Sequence, residues 1–202
     1  MKINTYPVIT DRIMKVGLVG CGRIAKNHFA SILQYPNDLQ LIAVCDNDPE
    51  ALENAKSEYK VEGYSNLGEM LSSEALDLIV LCTPSGLHPQ QAILAAEHGV
   101  HVVSEKPMAT RYADGVKMVE ACDEAGVRLF VVKQNRRNAT LQLLKRAVDE
   151  ERFGNIKMVH LNVFWTRPQE YYDHGQGWRG TWEFDGGAFM NQASHYVDLV
   201  EW

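Results

Sequence analysis

A chain of 202 residues with 46% hydrophobic and 23% charged residues has the composition of a soluble globular protein, and its length allows one or two buried cores. A formal charge of −6 and the absence of any lysine- or arginine-rich run remove the electrostatic basis for nucleic-acid binding. No apolar run reaches the eighteen or so residues that cross a bilayer, and the opening MKINTYPVITDRIM lacks the apolar core and small-residue cleavage site of a signal peptide.

The first two-thirds of the chain alternates short β-branched runs with longer amphipathic stretches. The expected strands are Met14 to Gly20, Leu39 to Asp46, Leu76 to Leu81, Val100 to Ser104 and Arg128 to Val132. Between them the pattern predicts helices over Ile24 to Leu33, Pro49 to Tyr59, Pro89 to His98 and Tyr112 to Ala125. The runs LIAVC and LDLIVLC are apolar on both faces, as strands covered above and below by helices must be. This order implies right-handed βαβ crossovers and a parallel sheet. Gly99 and Gly126 stand where helices end, at C-cap positions. After about Asn135 the pattern changes. A helix, TLQLLKRAVDEERF, leads to Gly154 and an alternating stretch, IKMVHLNVFW, expected to be a strand over Ile156 to Trp165. A polar, aromatic-rich stretch from Thr166 to Asp185 follows, then a helical pattern from Ala188 to the terminus. The expected division is a Rossmann-type domain over 1–134 and the beginning of an α+β sheet domain over 135–202. Cys21, Cys45, Cys82 and Cys122 form no Cys-x-x-Cys pair. They are expected to be reduced core residues, with the cytoplasm as the compartment.

The segment from Lys15 to Ala25 contains G-x-G-x-x-A between an expected strand and an expected helix, the context that makes this pattern meaningful. Gly20 permits the tight turn, Gly22 allows backbone N–H groups close to a pyrophosphate, and Ala25 lets helix and strand approach. The helix N-terminus adds partial positive charge. Asp46 ends the second strand, 21 residues after Ala25. A carboxylate there accepts bonds from a ribose hydroxyl and repels a 2′-phosphate, and Asn47 and Asp48 bring no cation to neutralise one, which favours NAD over NADP. Asp46 could also be a turn or capping residue, a task for which Asp48 is better placed.

Three further segments add specificity: Cys82-Thr83-Pro84-Ser85-Gly86-Leu87-His88, Glu105-Lys106-Pro107, and Gly186-Gly187 with His195 eight residues on. In this order the chain resembles the GFO/IDH/MocA oxidoreductase family from about residue 13 onward. The resemblance implies a Rossmann domain joined to a larger sheet domain that holds a sugar-like substrate. The segments VVKQNRRNATLQLLKRAVDE, NVFWTRPQEYY and GWRGTWEFDGGAFMNQASHYVDL are similar to one branch, the UDP-N-acetyl-2-amino-2-deoxy-D-glucuronate dehydrogenases. That implies NAD-dependent oxidation of the carbon-3 hydroxyl of a UDP-linked acetamido uronic acid, in surface-polysaccharide biosynthesis. A dehydrogenase of a free sugar or inositol, and a catalytically silent dinucleotide-binding protein, remain as alternatives.

Lys106 follows the fifth expected strand at the carboxyl end of the sheet, where such sheets bind ligands. The resemblance assigns it to the substrate hydroxyl beside the nicotinamide, where its ammonium favours the developing carbonyl. His195 is the candidate base, since imidazole titrates near neutrality. Asn191 stands one helical turn earlier, where the family usually has the aspartate of Asp-x-Gly-x-His, so it offers a neutral contact rather than a charge. The expected cofactor contacts are Gly20, Gly22, Arg23, Ile24, Ala25, Asp46, Thr83, Pro84, His88 and Glu105, with helix capping open for His88. The expected substrate contacts are Lys106, Gln134, Asn138, Trp165, Arg167, Arg179, Asn191 and His195. Arg136 joins Arg167 and Arg179 as a candidate for gripping a carboxylate or pyrophosphate, with surface ion pairing open for each arginine. His28, His98, His101, His160 and His174 show no ligand-like spacing and are read as structural or exposed, so no metal is expected. The resemblance also implies more sheet after the His195 helix. The 202-residue chain alone is therefore expected to bind NAD weakly or normally but to turn over poorly, and the full-length protein to be a homo-oligomer.

Overall fold

The structure, a computed structural model, describes residues 9–173 and 177–202. The first eight residues, part of the stretch read as lacking a leader pattern, and His174 lie outside the described residues. The chain forms two compact units, one ending at Val131 and the other spanning Val132–Trp202.

In the first unit six strands form one sheet: β1 (Met14–Val19), β2 (Leu39–Cys45), β3 (Glu62–Tyr64), β4 (Leu78–Leu81), β5 (His101–Ser104) and β6 (Leu129–Val131). All neighbouring pairs are parallel. Their order is β3-β2-β1-β4-β5-β6, the doubly wound arrangement whose switch point falls between β1 and β4. Alternating residues explain the layering, because successive side chains leave opposite faces of a strand. Val16 and Leu18 of β1, Val44 of β2, and Leu78 and Val80 of β4 pack with Phe29 and Ile32 of helix α1 (Ala25–Gln34) and Ala55 of α2 (Pro49–Tyr59). Val19, Ala43, Ile79, Leu81 and Val102 form the other face. They pack with Met70 of α3 (Leu67–Ser73), Ala92 and Ala95 of α4 (His88–Glu97), and Met118 of α5 (Tyr112–Glu124).

The expected strands and helices of this unit are present within a residue or two. Asp48 caps α2, its Oδ1 accepting from Glu50 N at 2.9 Å and Ala51 N at 3.2 Å, with Pro49 as the first helical residue. Strand β3 and helix α3 are additions to the expected elements. β3 is three residues long and largely polar, so it has no measurable alternation, and α3 is a short helix capped by Asn66 through Glu69 N.

The second unit contains a 3-10 turn (Gln134–Arg137), α6 (Ala139–Asp149), the short α7 (Gln169–Asp173), a π turn (Phe189–Ala193) and α8 (Ser194–Glu201). The helix expected from Ala188 is present, with one widened turn. The strand expected over Ile156 to Trp165 is not: these residues join no ladder, and Met158 and Phe164 are 83% and 89% exposed. Alternation shows that two faces differ, but a strand also needs a partner for its N–H and C=O groups. No described residue of this unit offers one.

Candidate active site

The glycine turn is built by the approach of two strands. Gly20 has φ +89°, and a Cβ there would lie 2.8 Å from both Cys82 C and Thr83 N. Only glycine accepts both the left-handed backbone and that proximity. Its N–H donates to Cys45 O at 2.7 Å, which ties the turn to β2 as well. Gly22 is exposed, with nothing within 4 Å of a would-be Cβ. Arg23 and Ile24 are exposed beside it, and Ala25 is buried at the start of α1. No side chain caps α1. Its first N–H groups therefore have no side-chain acceptor, which suits a phosphate anion. Asp46 follows β2 with Oδ2 accepting from Cys21 N at 2.6 Å and Oδ1 from Asp48 N at 2.8 Å. An ionised carboxylate has about four acceptor positions, so it can brace the glycine turn and still receive a ribose hydroxyl. These residues fit a dinucleotide.

The Thr83–His88 segment closes the other side of the switch point. Thr83 Oγ1 donates to Gln91 Oε1 at 2.5 Å, and Pro84 precedes a 3-10 turn (Ser85–Leu87). The sequence offers His88 as a cofactor contact or a helix cap, and the structure gives it another task. Its ring is 1% exposed, with Nδ1 3.0 Å from Pro107 O and Nε2 2.9 Å from Thr83 O. Burial lowers its pKa and outweighs the two carbonyls, which favour a charged ring. The side chain lies between two loops, and its neutral ring donates to one of the two carbonyls.

Glu105, grouped by the sequence with the cofactor contacts, is 7% exposed and its carboxylate is engaged within the protein. Oε1 lies 2.9 Å from His28 Nε2, and Oε2 accepts from Lys106 N at 3.1 Å. Burial alone would raise its pKa, but the His28 bond, the Lys106 N–H and the charges of both residues bring it below the ordinary value. His28, structural or exposed on its sequence spacing, is thus a half-buried partner of the residue next to Lys106. Lys106 itself is half-buried, at the carboxyl end of β5, and its peptide to Pro107 is cis.

In the second unit His195 is 6% exposed, in the first turn of α8. Gln134 Nε2 lies 3.5 Å from His195 Nε2, at the outer limit of a hydrogen bond, and the ring tautomer decides which nitrogen donates. Asn191 lies in the π turn, a feature frequent at functional sites. Its Nδ2 donates to Asp185, a carboxylate 3% exposed that also accepts Gly180 N at 2.9 Å. The carboxylate missing from position 191 is therefore present six residues earlier and touches Asn191. Sequence reasoning misses Asp185, although its place before Gly186-Gly187 is a signal.

The candidate arginines differ. Arg136 is committed to Asp198 through a two-pronged pair at 2.8 and 2.7 Å, so surface-type pairing is its role here. That pair, with Lys133 3.4 Å away, holds the Asp198 carboxyl below its usual range. Arg167 bonds Gln192 Oε1 at 2.9 Å and stacks on Trp165 and Tyr171, while its Nε is buried without a partner. Arg179 stacks on the same Tyr171 and on Trp178. Two guanidinium groups thus share one tyrosine ring, whose hydroxyl accepts from Gln192 Nε2 at 3.0 Å. Asn138 caps α6 through Thr140 N at 3.0 Å, so its oxygen is occupied locally. Trp165 also meets Tyr196 edge-on at 5.9 Å. The structure groups the cofactor candidates within the first unit and most substrate candidates within the second.

Comparison with known proteins adds independent findings. Residues 14–133 match the model of an oxidoreductase family with an NAD-binding Rossmann fold, and residues 141–202 match a GFO/IDH/MocA C-terminal domain. A solved WlbA dehydrogenase from Bordetella pertussis, in complex with NADH and UDP-GlcNAcA, is 63% identical with a TM-score of 0.94. The match covers 96% of this chain and 58% of that one. The corresponding Chromobacterium violaceum enzyme, also with NADH and UDP-GlcNAcA, is 60% identical with a TM-score of 0.95, over 100% of this chain and 58% of that one. D-apiose dehydrogenase of Paraburkholderia graminis is 34% identical over 146 residues, 72% of this chain and 39% of that protein. The chain spans about half the length of several other curated relatives it matches. Among the described residues no helix is long and apolar enough to cross a membrane, and no group of histidine, cysteine, aspartate and glutamate side chains could hold a metal ion.

Proposed function

The chain belongs to the GFO/IDH/MocA oxidoreductase family, with an NAD-binding Rossmann fold, and on that footing we propose that it carries out NAD-dependent oxidation of the carbon-3 hydroxyl of a UDP-linked N-acetylated glucuronic acid. The product would serve surface-polysaccharide sugar biosynthesis. The observation that carries this reading is the identity of 60% and 63% to dehydrogenases crystallised with NADH and UDP-GlcNAcA. Free cysteines throughout the chain support a cytoplasmic setting, and the full-length protein is proposed to be a homo-oligomer.

In this reading Gly20, Gly22, Arg23, Ile24 and Ala25 hold the pyrophosphate of NAD at the uncapped end of α1. Asp46 holds the adenosine ribose, and Thr83 and Pro84 shape the loop at the carboxyl end of β4. NAD, when bound, supplies the hydride acceptor. Lys106 hydrogen-bonds the reacting sugar oxygen and favours its carbonyl form. His195, whose Nε2 faces the Gln134 amide, accepts the hydroxyl proton. Asp185 and Asn191 fix the turn before His195. Arg167 and Arg179, already stacked on aromatic rings, present guanidinium edges to the uronate carboxylate or the UDP pyrophosphate.

The test is to mix the full-length gene product with NAD and UDP-N-acetylglucosaminuronate and to follow NADH absorbance. A steady signal is expected with the UDP-sugar and none with free inositol. A signal on inositol alone would transfer the activity to a free polyol, and NAD binding without turnover on any sugar would make the protein a silent dinucleotide binder.

A further inference from the structure

We propose that His28 is a positioning residue for Lys106, acting through the buried Glu105 carboxylate; this rests on the role given above to Lys106. The backbone around Glu105 is fixed mainly by its own strand region: Glu105 N donates to Leu81 O at 3.0 Å, and Ser104 Oγ donates to Glu105 O at 3.0 Å. The Glu105 side chain then turns back to accept the Lys106 N–H at 3.1 Å. What holds the carboxylate in that pose is a side chain 77 positions away in sequence, His28 Nε2 at 2.9 Å. Both side chains are largely removed from water, at 16% and 9% exposure, so their bond competes little with solvent.

His28 belongs to α1, three residues beyond Ala25, where the helix meets the glycine turn. The bond therefore links the helix that receives the pyrophosphate to the turn that carries the lysine. The opposite side of that turn is held by His88 through Pro107 O. Without His28 the buried carboxylate loses a charged-state partner and rotates or takes a proton, and its bond to the Lys106 N–H loosens. The lysine then shifts relative to the cofactor helix while the helix itself remains able to bind.

The experiment compares wild type with His28→Leu, which removes the donor, and His28→Gln, whose amide can donate to the same oxygen. In the full-length protein His28→Leu is expected to lower kcat about 10- to 100-fold with the Kd for NADH changed less than about threefold, and His28→Gln to recover most of the loss. If His28→Leu does not fold, His28→Asn, too short to reach Glu105, takes its place with the same expectation. Independently of activity, imidazole ¹⁵N NMR should show a His28 Nε2 resonance that moves on Glu105→Gln. An unmoved resonance, a wild-type kcat in His28→Leu, or a loss shared equally by NADH binding and not recovered by glutamine would each overturn the proposal. Lys106→Met in parallel separates the two failures. Turnover surviving that change overturns the reading of Lys106, and this inference with it. Turnover lost there but intact in His28→Leu overturns the inference alone.

Discussion

Asp46 spends one lone pair of each carboxylate oxygen on a backbone N–H, Cys21 on one side and Asp48 on the other. The negative charge is thereby fixed at the end of β2, where a 2′-phosphate would meet it with no cation from Asn47 or Asp48 to offset the repulsion. Asp46→Asn keeps the size and one acceptor but removes the charge. The ratio of NADPH to NADH dissociation constants is expected to fall by about tenfold or more, given what like-charge contacts cost; fluorescence titration of both cofactors measures it. At the chemical end, Lys106→Met and His195→Ala are each expected to lower kcat by about 10²-fold or more, the usual contribution of a proton-handling group, with NADH affinity retained. Near-normal turnover in either variant would remove that residue from the mechanism. The cysteines are poor candidates for chemistry. Burial pushes Cys21 up to about 12 and Cys45 up to about 11, and the Asp46 charge adds to both.

Two neighbouring elements meet their helix starts in opposite ways. Asp48 satisfies the first N–H groups of α2 with its own carboxylate, whereas α1 has no side-chain cap and lies behind the glycine turn. Helices α4 and α5 also start without a side-chain cap, so it is the glycine turn in front of α1 that fits its start to the proposed cofactor role. Asp48→Ala is expected to cost about 0.5–2 kcal/mol in urea unfolding, with cofactor affinity unaffected. Gly20→Ala should cost about 1–3 kcal/mol or more, because the left-handed φ and the 2.8 Å approach to Cys82 and Thr83 act together. That variant should also lose NADH binding; a stable Gly20→Ala protein with normal affinity would contradict the role given to the turn.

For the molecule as a whole, acid stability follows from groups that titrate differently once folded. His88 has a lowered pKa through burial, and His101 is lowered by burial and by Arg128. Above the ordinary histidine value of ~6.5 both states of the chain hold these rings neutral. As pH falls through that value the unfolded chain binds protons that the folded chain refuses, so stability declines toward the lower folded values. Asp77, lowered chiefly by its bond to Arg12, and Asp198, lowered chiefly by Arg136, behave as paired carboxylates. Their contribution is complete above the ordinary carboxylate range and is lost as pH falls through it to the folded values. The melting temperature is therefore expected to drop between about pH 7 and pH 5 and again below about pH 4. A flat profile from pH 8 to pH 5 would contradict the burial argument for His88.

Features set by neighbours along the chain are legible in the amino-acid sequence itself. The apolar runs on both faces of β2 and β4, the Pro49 start of α2, and Gly20 and Gly22 before Ala25 all express local backbone rules, so the parallel sheet and the glycine turn can be read directly, whereas Glu105-Lys106-Pro107 takes its meaning from the family resemblance. The alternation of Ile156 to Trp165 is equally visible, but a ladder requires a second strand, and periodicity carries no information about partners. Tertiary structure alone decided what His88, Glu105, His28 and Asp185 do. Their partners lie on other elements: Pro107 for His88, Glu105 for His28, and Asn191, across the Gly186-Gly187 turn, for Asp185. A buried polar side chain must find a complementary group wherever packing brings one, and sequence distance does not restrict that choice.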